Sequence, residues 1–140
     1  MDRRQGFEMT VANGDVRYVD TNVILRYLLD DDPVLSPQAR AYLDDETRNR
    51  TGIEVVAEAV YVLAGVYDVP RGEIATVLRR LFDDPAWVLD HKKSVIESLD
   101  IYGRSSLDFV DAWIVALHRI EGVEVVSFDK KIRRMTQTLA

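Results

Sequence analysis

The sequence predicts an α/β fold, a single domain with a central parallel sheet flanked by helices, and three observations support it. Short β-branched or aromatic runs at Val16–Val19, Trp87–His91 and Val123–Phe128 are separated by longer segments whose apolar residues recur at helical spacing. No tight hairpin signal joins one run to the next, which favours parallel strands with helical crossovers. A chain of 140 residues is about one domain, and a domain of that size buries roughly 68–70% of the surface its unfolded chain exposes. In parallel sheets of this kind, ligands bind outside the carboxyl ends of the strands. Asp20, after the first run, and Asp129, after the last, would lie on that edge.

The elements follow in order. Residues 1–15 show no clear periodicity and read as a loose N-terminal extension or a cloning remnant, leaving 16–140 as the domain. The strand Val16–Val19 stops on Asp20, and Val23, Ile24, Leu25, Leu28 and Leu29 then mark a helix. Ser36 and Pro37 supply an N-cap and a first-turn proline for a second helix running to about Thr47. "IEVVAEAVYVLAGVY" is too long for an ordinary strand and lacks turn residues until Gly65, so it predicts a helix despite its valines. Arg71–Phe82 places Ile74, Val77, Leu78, Leu81 and Phe82 on one helical face, and Asp84 and Pro85 break it. "WVLDH" predicts a short strand, "KKSVIESLDIYG" a helix ending at Gly103, and "LDFVDAWIVALHRI" a long apolar helix ending near Gly122. "VEVVSF" predicts the last strand, with a short basic tail behind it.

Bulk composition narrows the function. With 47% hydrophobic and 30% charged residues the chain falls in the ordinary soluble range. The absence of cysteine excludes disulfides and thiolate metal sites and fits a reducing cytoplasm. No apolar run approaches the roughly 20 residues of a membrane span, and no signal-peptide stretch opens the chain, so the expectation is a cytoplasmic protein with no membrane partner. A net charge of −6 argues against generic nucleic-acid binding, which draws on Lys and Arg neutralising phosphates. That objection weakens where acids are gathered in one place and neutralised by a metal.

Several acids stand where a core is expected. Glu58 is the only charge between Val55 and Ala64; it is either a partly exposed residue on the solvent face or a buried carboxylate with a partner. Asp108 and Asp111, at i and i+3, share one helical face, which Val115 and His118 continue. Asp108 also suits the first turn of a helix, where a carboxylate is favoured. Asp20 and Asp129 each have a simple alternative role as helix N-caps. Mg²⁺ and Mn²⁺ prefer hard oxygen ligands, and such ions activate water and stabilise charge in phosphodiester displacement. The acids therefore support a metal-dependent phosphoryl-transfer site. The chain contains no Gly-rich phosphate loop, no H-E-x-x-H pair and no G-x-S-x-G turn. His91 and His118 read as surface or packing residues.

"VDTNVILRYLLDDDP", "EVVAEAVYVLAGVY", "LDFVDAWIVAL" and "VVSFDKKI", in this order and spacing, resemble the PIN-domain ribonucleases, and among them the VapC-type toxins of bacterial toxin–antitoxin pairs. The resemblance covers Val16 to the C-terminus. It implies a central parallel sheet, Mg²⁺ or Mn²⁺ in an acidic pocket, and cleavage of RNA by a metal-activated water. Position by position, it implies Asp20, Glu58, Asp111 and Asp129 as the catalytic acids and metal ligands. It further implies Thr21, Asn22, Ser127 and the additional acid Asp108 as supporting residues. Ser127 stands where many relatives have Thr, which keeps the hydroxyl.

Arg26, four residues beyond Asn22, and Lys130 and Lys131, beside Asp129, are candidate RNA contacts. Arg133 and Arg134 extend that basic tail, and Arg79 and Arg80 form another pair. The resemblance also implies a homodimer and a small VapB-type antitoxin covering the acidic site, often through a basic side chain. Two alternatives remain open: a PIN nuclease of RNA processing, and a non-catalytic acidic metal-binding or interaction module. A receiver-like phosphoacceptor fits poorly, because the first strand ends in a single Asp and no central-strand Asp accompanies it.

Overall fold

The computed structural model describes residues 16–45 and 47–137, so the expected N-terminal extension lies outside the described residues. Three short strands, β1 (Val16–Tyr18), β2 (Arg48–Thr51) and β3 (Trp87–Leu89), form a parallel sheet in the order β1-β2-β3. Val16 pairs with Arg48 and Tyr18 with Arg50, and Asn49 pairs with Trp87 and Thr51 with Leu89. Two helices connect each successive pair of strands, as parallel pairing requires. They are α1 (Thr21–Leu29) and α2 (Leu35–Leu43), then α3 (Ile53–Gly65) and α4 (Arg71–Phe82). Three more helices follow β3: α5 (Lys92–Arg104), α6 (Phe109–Glu121) and α7 (Lys130–Thr136). The expected α/β class is the observed one.

The core forms where the apolar faces of these helices meet. Ile24 of α1, Val56 and Val60 of α3, Leu78 and Phe82 of α4, Leu99 of α5 and Phe109 and Val115 of α6 are completely buried. Each such side chain contributes about 1.5–3 kcal/mol of transfer free energy. Phe82 meets Trp87 edge-on at 5.1 Å, which locks α4 to the following strand. The expected helices at 71–82 and across "LDFVDAWIVALHRI" are present, and α6 closes on Gly122 at φ 71, the left-handed conformation that suits a glycine. No helix among the described residues is long and apolar enough to cross a membrane.

Four local readings are corrected. Ser36 is not an N-cap: α2 begins one residue earlier, and Asp32 accepts from the backbone N–H of Val34 and Leu35. Ser36 Oγ instead accepts from Asp32 N–H. The helix also stops at Leu43, short of Thr47, because the chain there must turn into β2. β2 itself was not expected, since "RNRT" is polar; it is a central strand with Asn49 and Thr51 inward and both arginines exposed. Finally, Val123–Phe128 is not a strand. It leaves Gly122 without a ladder partner, and Val126 and Phe128 are 93% and 97% exposed. β-branched residues favour a strand only where a neighbouring strand accepts them.

Candidate active site

Asp20 stands where β1 gives way to α1, with extended backbone, and its Oδ1 accepts from Val23 N–H at 3.3 Å. It is therefore a helix N-cap, and the cap is what turns the chain sharply at the carboxyl end of the strand. The next residue, Thr21, is buried and donates its hydroxyl to Glu58 Oε1 at 2.6 Å. This bond crosses from α1 to α3, two helices packed against each other. Glu58 is itself exposed, while Val56, Ala59, Val60 and Leu63 carry the buried side of α3. The solvent-face placement and the partnered carboxylate thus coexist: one oxygen of Glu58 is oriented by Thr21. Asn22 is exposed at the start of α1.

A second acidic group lies between α6 and α7. Asp108, Asp111 and Asp129 line one cavity of about 480 Å³, together with Ser106, Leu107, Lys130 and Lys131. Asp129 caps α7, its Oδ1 accepting from Ile132 N–H at 3.0 Å, and Ser127 Oγ accepts from Asp129 N–H at 3.0 Å. Ser127 therefore braces the backbone that presents Asp129. Asp108 occupies the N-cap position of α6 but makes no side-chain cap bond, so its carboxylate is not consumed by the helix. Lys131 reaches across the cavity mouth and donates Nζ–H to Ser106 Oγ at 2.9 Å.

The electrostatics single out Asp111. Burial, followed by repulsion from Asp129 and then Asp108, raises its carboxyl pKa above the ordinary aspartate value. Three carboxylates share one concavity with two lysines, one of which, Lys131, is bonded to Ser106.

The structure brings Asp108, Asp111 and Asp129 together in one cavity and joins Glu58 to Thr21, the residue after Asp20. Asp20 lines a different cavity, beside Tyr18, Tyr42 and Asn49. Arg26 is engaged elsewhere: it donates to Asp31 Oδ1 at 2.7 Å and to the Tyr67 hydroxyl at 2.9 Å, and its Nε has no partner among the described residues. Arg79 is paired with Asp100 at 2.9 Å.

Sequence reasoning passed over several contributors. Arg71, at the start of α4, donates to the carbonyls of Tyr102 and Leu107 and stacks 4.0 Å from the Tyr102 ring centroid. It fixes the turn that delivers Asp108 and Asp111, and no local pattern marks it. Ser106 was legible only as a small polar residue ahead of Asp108. Tyr18 donates its hydroxyl to Glu54, and that bond holds the Glu54 carboxyl below its ordinary range.

The family model for the PIN domain matches residues 17–137. The chain belongs to the PIN domain family. No curated protein and no solved structure matches it. PIN domains are typically nucleases, they act on nucleic acid, and they generally use divalent metal ions. Among the described residues of this PIN domain, no group of three or more His, Cys, Asp or Glu side chains is disposed to enclose a metal ion. The donor chemistry nonetheless fits a hydrated hard cation, because Mg²⁺ ordinarily takes one or two protein carboxylates, completing its shell with water and substrate phosphate oxygens. The three carboxylates of Asp108, Asp111 and Asp129 offer oxygen donors of that kind in one cavity, which Lys130 and Lys131 also line; a closed protein cage is not needed.

Proposed function

We propose that this PIN domain is an Mg²⁺- or Mn²⁺-dependent endoribonuclease acting as a VapC-type toxin, with Asp20, Glu58, Asp111 and Asp129 as its acidic machinery. The observation that carries the reading is the cavity that Asp108, Asp111 and Asp129 share with Lys130 and Lys131. Acids of this number would hold a hard cation, and the neighbouring lysines would attract a phosphate chain. When bound there, the ion supplies an activated water and neutralises charge during phosphodiester displacement.

The chain's own residues divide the remaining work. Asp111 and Asp129 would hold the cation, and Asp108 would add negative charge at the same cavity. Thr21 orients Glu58 through the 2.6 Å bond, leaving the second carboxylate oxygen for water or cation. Asp20 and Asn22 hold the start of α1 at the strand edge. Lys130 and Lys131 draw the phosphate backbone to an otherwise acidic molecule, while Arg26 serves only if its bonds to Asp31 and Tyr67 are exchanged. The acid cavity also suits capping by a basic side chain of a small VapB-type antitoxin, and the reading includes a homodimer in the cytoplasm.

The test is cleavage of total RNA by purified, partner-free protein with Mg²⁺ or Mn²⁺, beside EDTA and Asp20→Asn, Glu58→Gln, Asp111→Asn and Asp129→Asn. Asparagine is the right replacement at 20 and 129, because it retains the N-cap while removing the charge. Discrete metal-dependent fragments that fall by about 10²-fold or more in the variants are expected. Folded protein that binds Mn²⁺ and leaves RNA intact would overturn the nuclease reading.

A further inference from the structure

We propose that the cavity between the sheet and α2 is a nucleobase subsite for the RNA strand, an inference that rests on the nuclease reading above. It encloses about 310 Å³, within the ordinary range of small-molecule sites, and Val19, Val23 and Leu43 give it apolar walls. Asp20 also lines it, so a base seated there has its phosphate next to the candidate active edge.

Two further features specify the occupant. Asn49 lines the cavity from the central strand and is 1% exposed, yet its Oδ1 has no hydrogen-bond partner among the described residues. Buried polar atoms are almost always paired, so this amide is an unmet demand for an N–H group. Asn49 borders a second cavity toward α4 as well, but the first is the one lined by Asp20. The other feature is aromatic. Tyr42 lines the same cavity, is 54% exposed, and has the Arg17 guanidinium 5.7 Å from its ring centroid.

A nucleobase meets all of these conditions together. Its flat face stacks on Tyr42, its body fits apolar walls, and its edge presents an N–H beside an acceptor to the Asn49 amide. A sugar phosphate alone can offer Asn49 a hydroxyl but leaves the apolar walls and the tyrosine without a role. A water molecule could answer Asn49 but leaves the apolar walls and the tyrosine without a role.

The test uses the full chain in EDTA, titrated with AMP, GMP, CMP, UMP and ribose 5-phosphate while the Asn49 side-chain amide is followed by ¹H–¹⁵N NMR. At least one nucleotide is expected to shift that amide and to bind about tenfold or more tighter than ribose 5-phosphate. Asn49→Leu replaces an amide whose Oδ1 is unpartnered among the described residues by an apolar group of similar size, so it should hold or raise the melting temperature while abolishing the preference. Tyr42→Ala should weaken nucleotide binding by about tenfold, and Tyr42→Phe should keep it. Equal binding of nucleotides and ribose 5-phosphate, no binding of either, or a preference that survives Asn49→Leu overturns the subsite. Because no metal is present, the two readings fail separately. RNA cleavage that needs Asp111, without nucleotide binding, removes the subsite alone. Nucleotide binding without cleavage removes the nuclease and leaves a nucleotide site.

Discussion

Asp111 is the residue at which folding and function pull in opposite directions. Its pKa is raised by burial, Asp129 and Asp108, so the folded state holds this proton more tightly than the unfolded chain does. Stability from this group is therefore present below the unfolded aspartate value of 3.8 and lost as pH rises through the raised folded value. At pH 7 the charge is a net cost that Asp111→Asn removes. We expect the variant to melt at a higher temperature than the parent at pH 7, with the gap closing as pH falls below about 4. Differential scanning calorimetry across that range checks it, and a gap independent of pH would refute the electrostatic account. Mn²⁺ should raise the melting temperature of the parent and not of the variant, since a ligand that binds only the native state stabilises it by mass action. A costly acid of this kind was legible in the sequence as a charge inside an apolar helix. The N-caps at Asp20 and Asp129 were equally legible, and their presence does not argue against chemistry: capping uses Oδ1 of each carboxylate and leaves the other oxygen.

At the scale of elements, the turn between α5 and α6 shows what sequence patterns miss. Its geometry rests on Arg71, thirty-odd residues upstream, whose guanidinium serves two carbonyls and one aromatic face. Arg71→Met keeps the stem but leaves the carbonyls of Tyr102 and Leu107 without that donor, and the expected cost is about 1–3 kcal/mol in urea unfolding. Arg71→Lys should recover only part of it, because an ammonium cannot reproduce a planar fork. A loss within 0.5 kcal/mol would mean that water replaces the guanidinium without penalty. The same limit explains β2 and the run Val123–Phe128. "RNRT" looks like loop by composition yet is the middle strand, because its two inward residues are the small amide Asn49 and Thr51, whose hydroxyl bonds the Val19 carbonyl at 3.0 Å. "VEVVSF" has every local preference of a strand and no partner. Helices α4 and α6 were legible because their bonds are internal and their apolar stripes are long. Strand pairing is settled by segments far away in sequence, which is where local reading fails.

For the molecule as a whole, topology places the acids in two neighbourhoods joined by packing. α3 touches α1, α4 and α6, so the helix bearing Glu58 is the mechanical link between the strand edge and the α6–α7 cavity. The layered α/β arrangement could be taken from the sequence; that Asp20 lines one cavity while Asp108, Asp111 and Asp129 line another could not, since it depends on how α6 and α7 pack. One feature of the periphery matters for handling. In the described sheet β1 is an edge strand, and the same chain carries a run outside any described strand that ends at the exposed Val126 and Phe128. Phe128→Lys and Val126→Lys touch nothing buried and should change stability by no more than about 0.5 kcal/mol. Light scattering at rising protein concentration should show less association in these variants than in the parent, and equal association would dissociate the run from it. Among the described residues, one molecule thus carries both an edge strand and an exposed run with the side chains of a strand. Pairing of the two between molecules is the contact to expect first as the protein is concentrated.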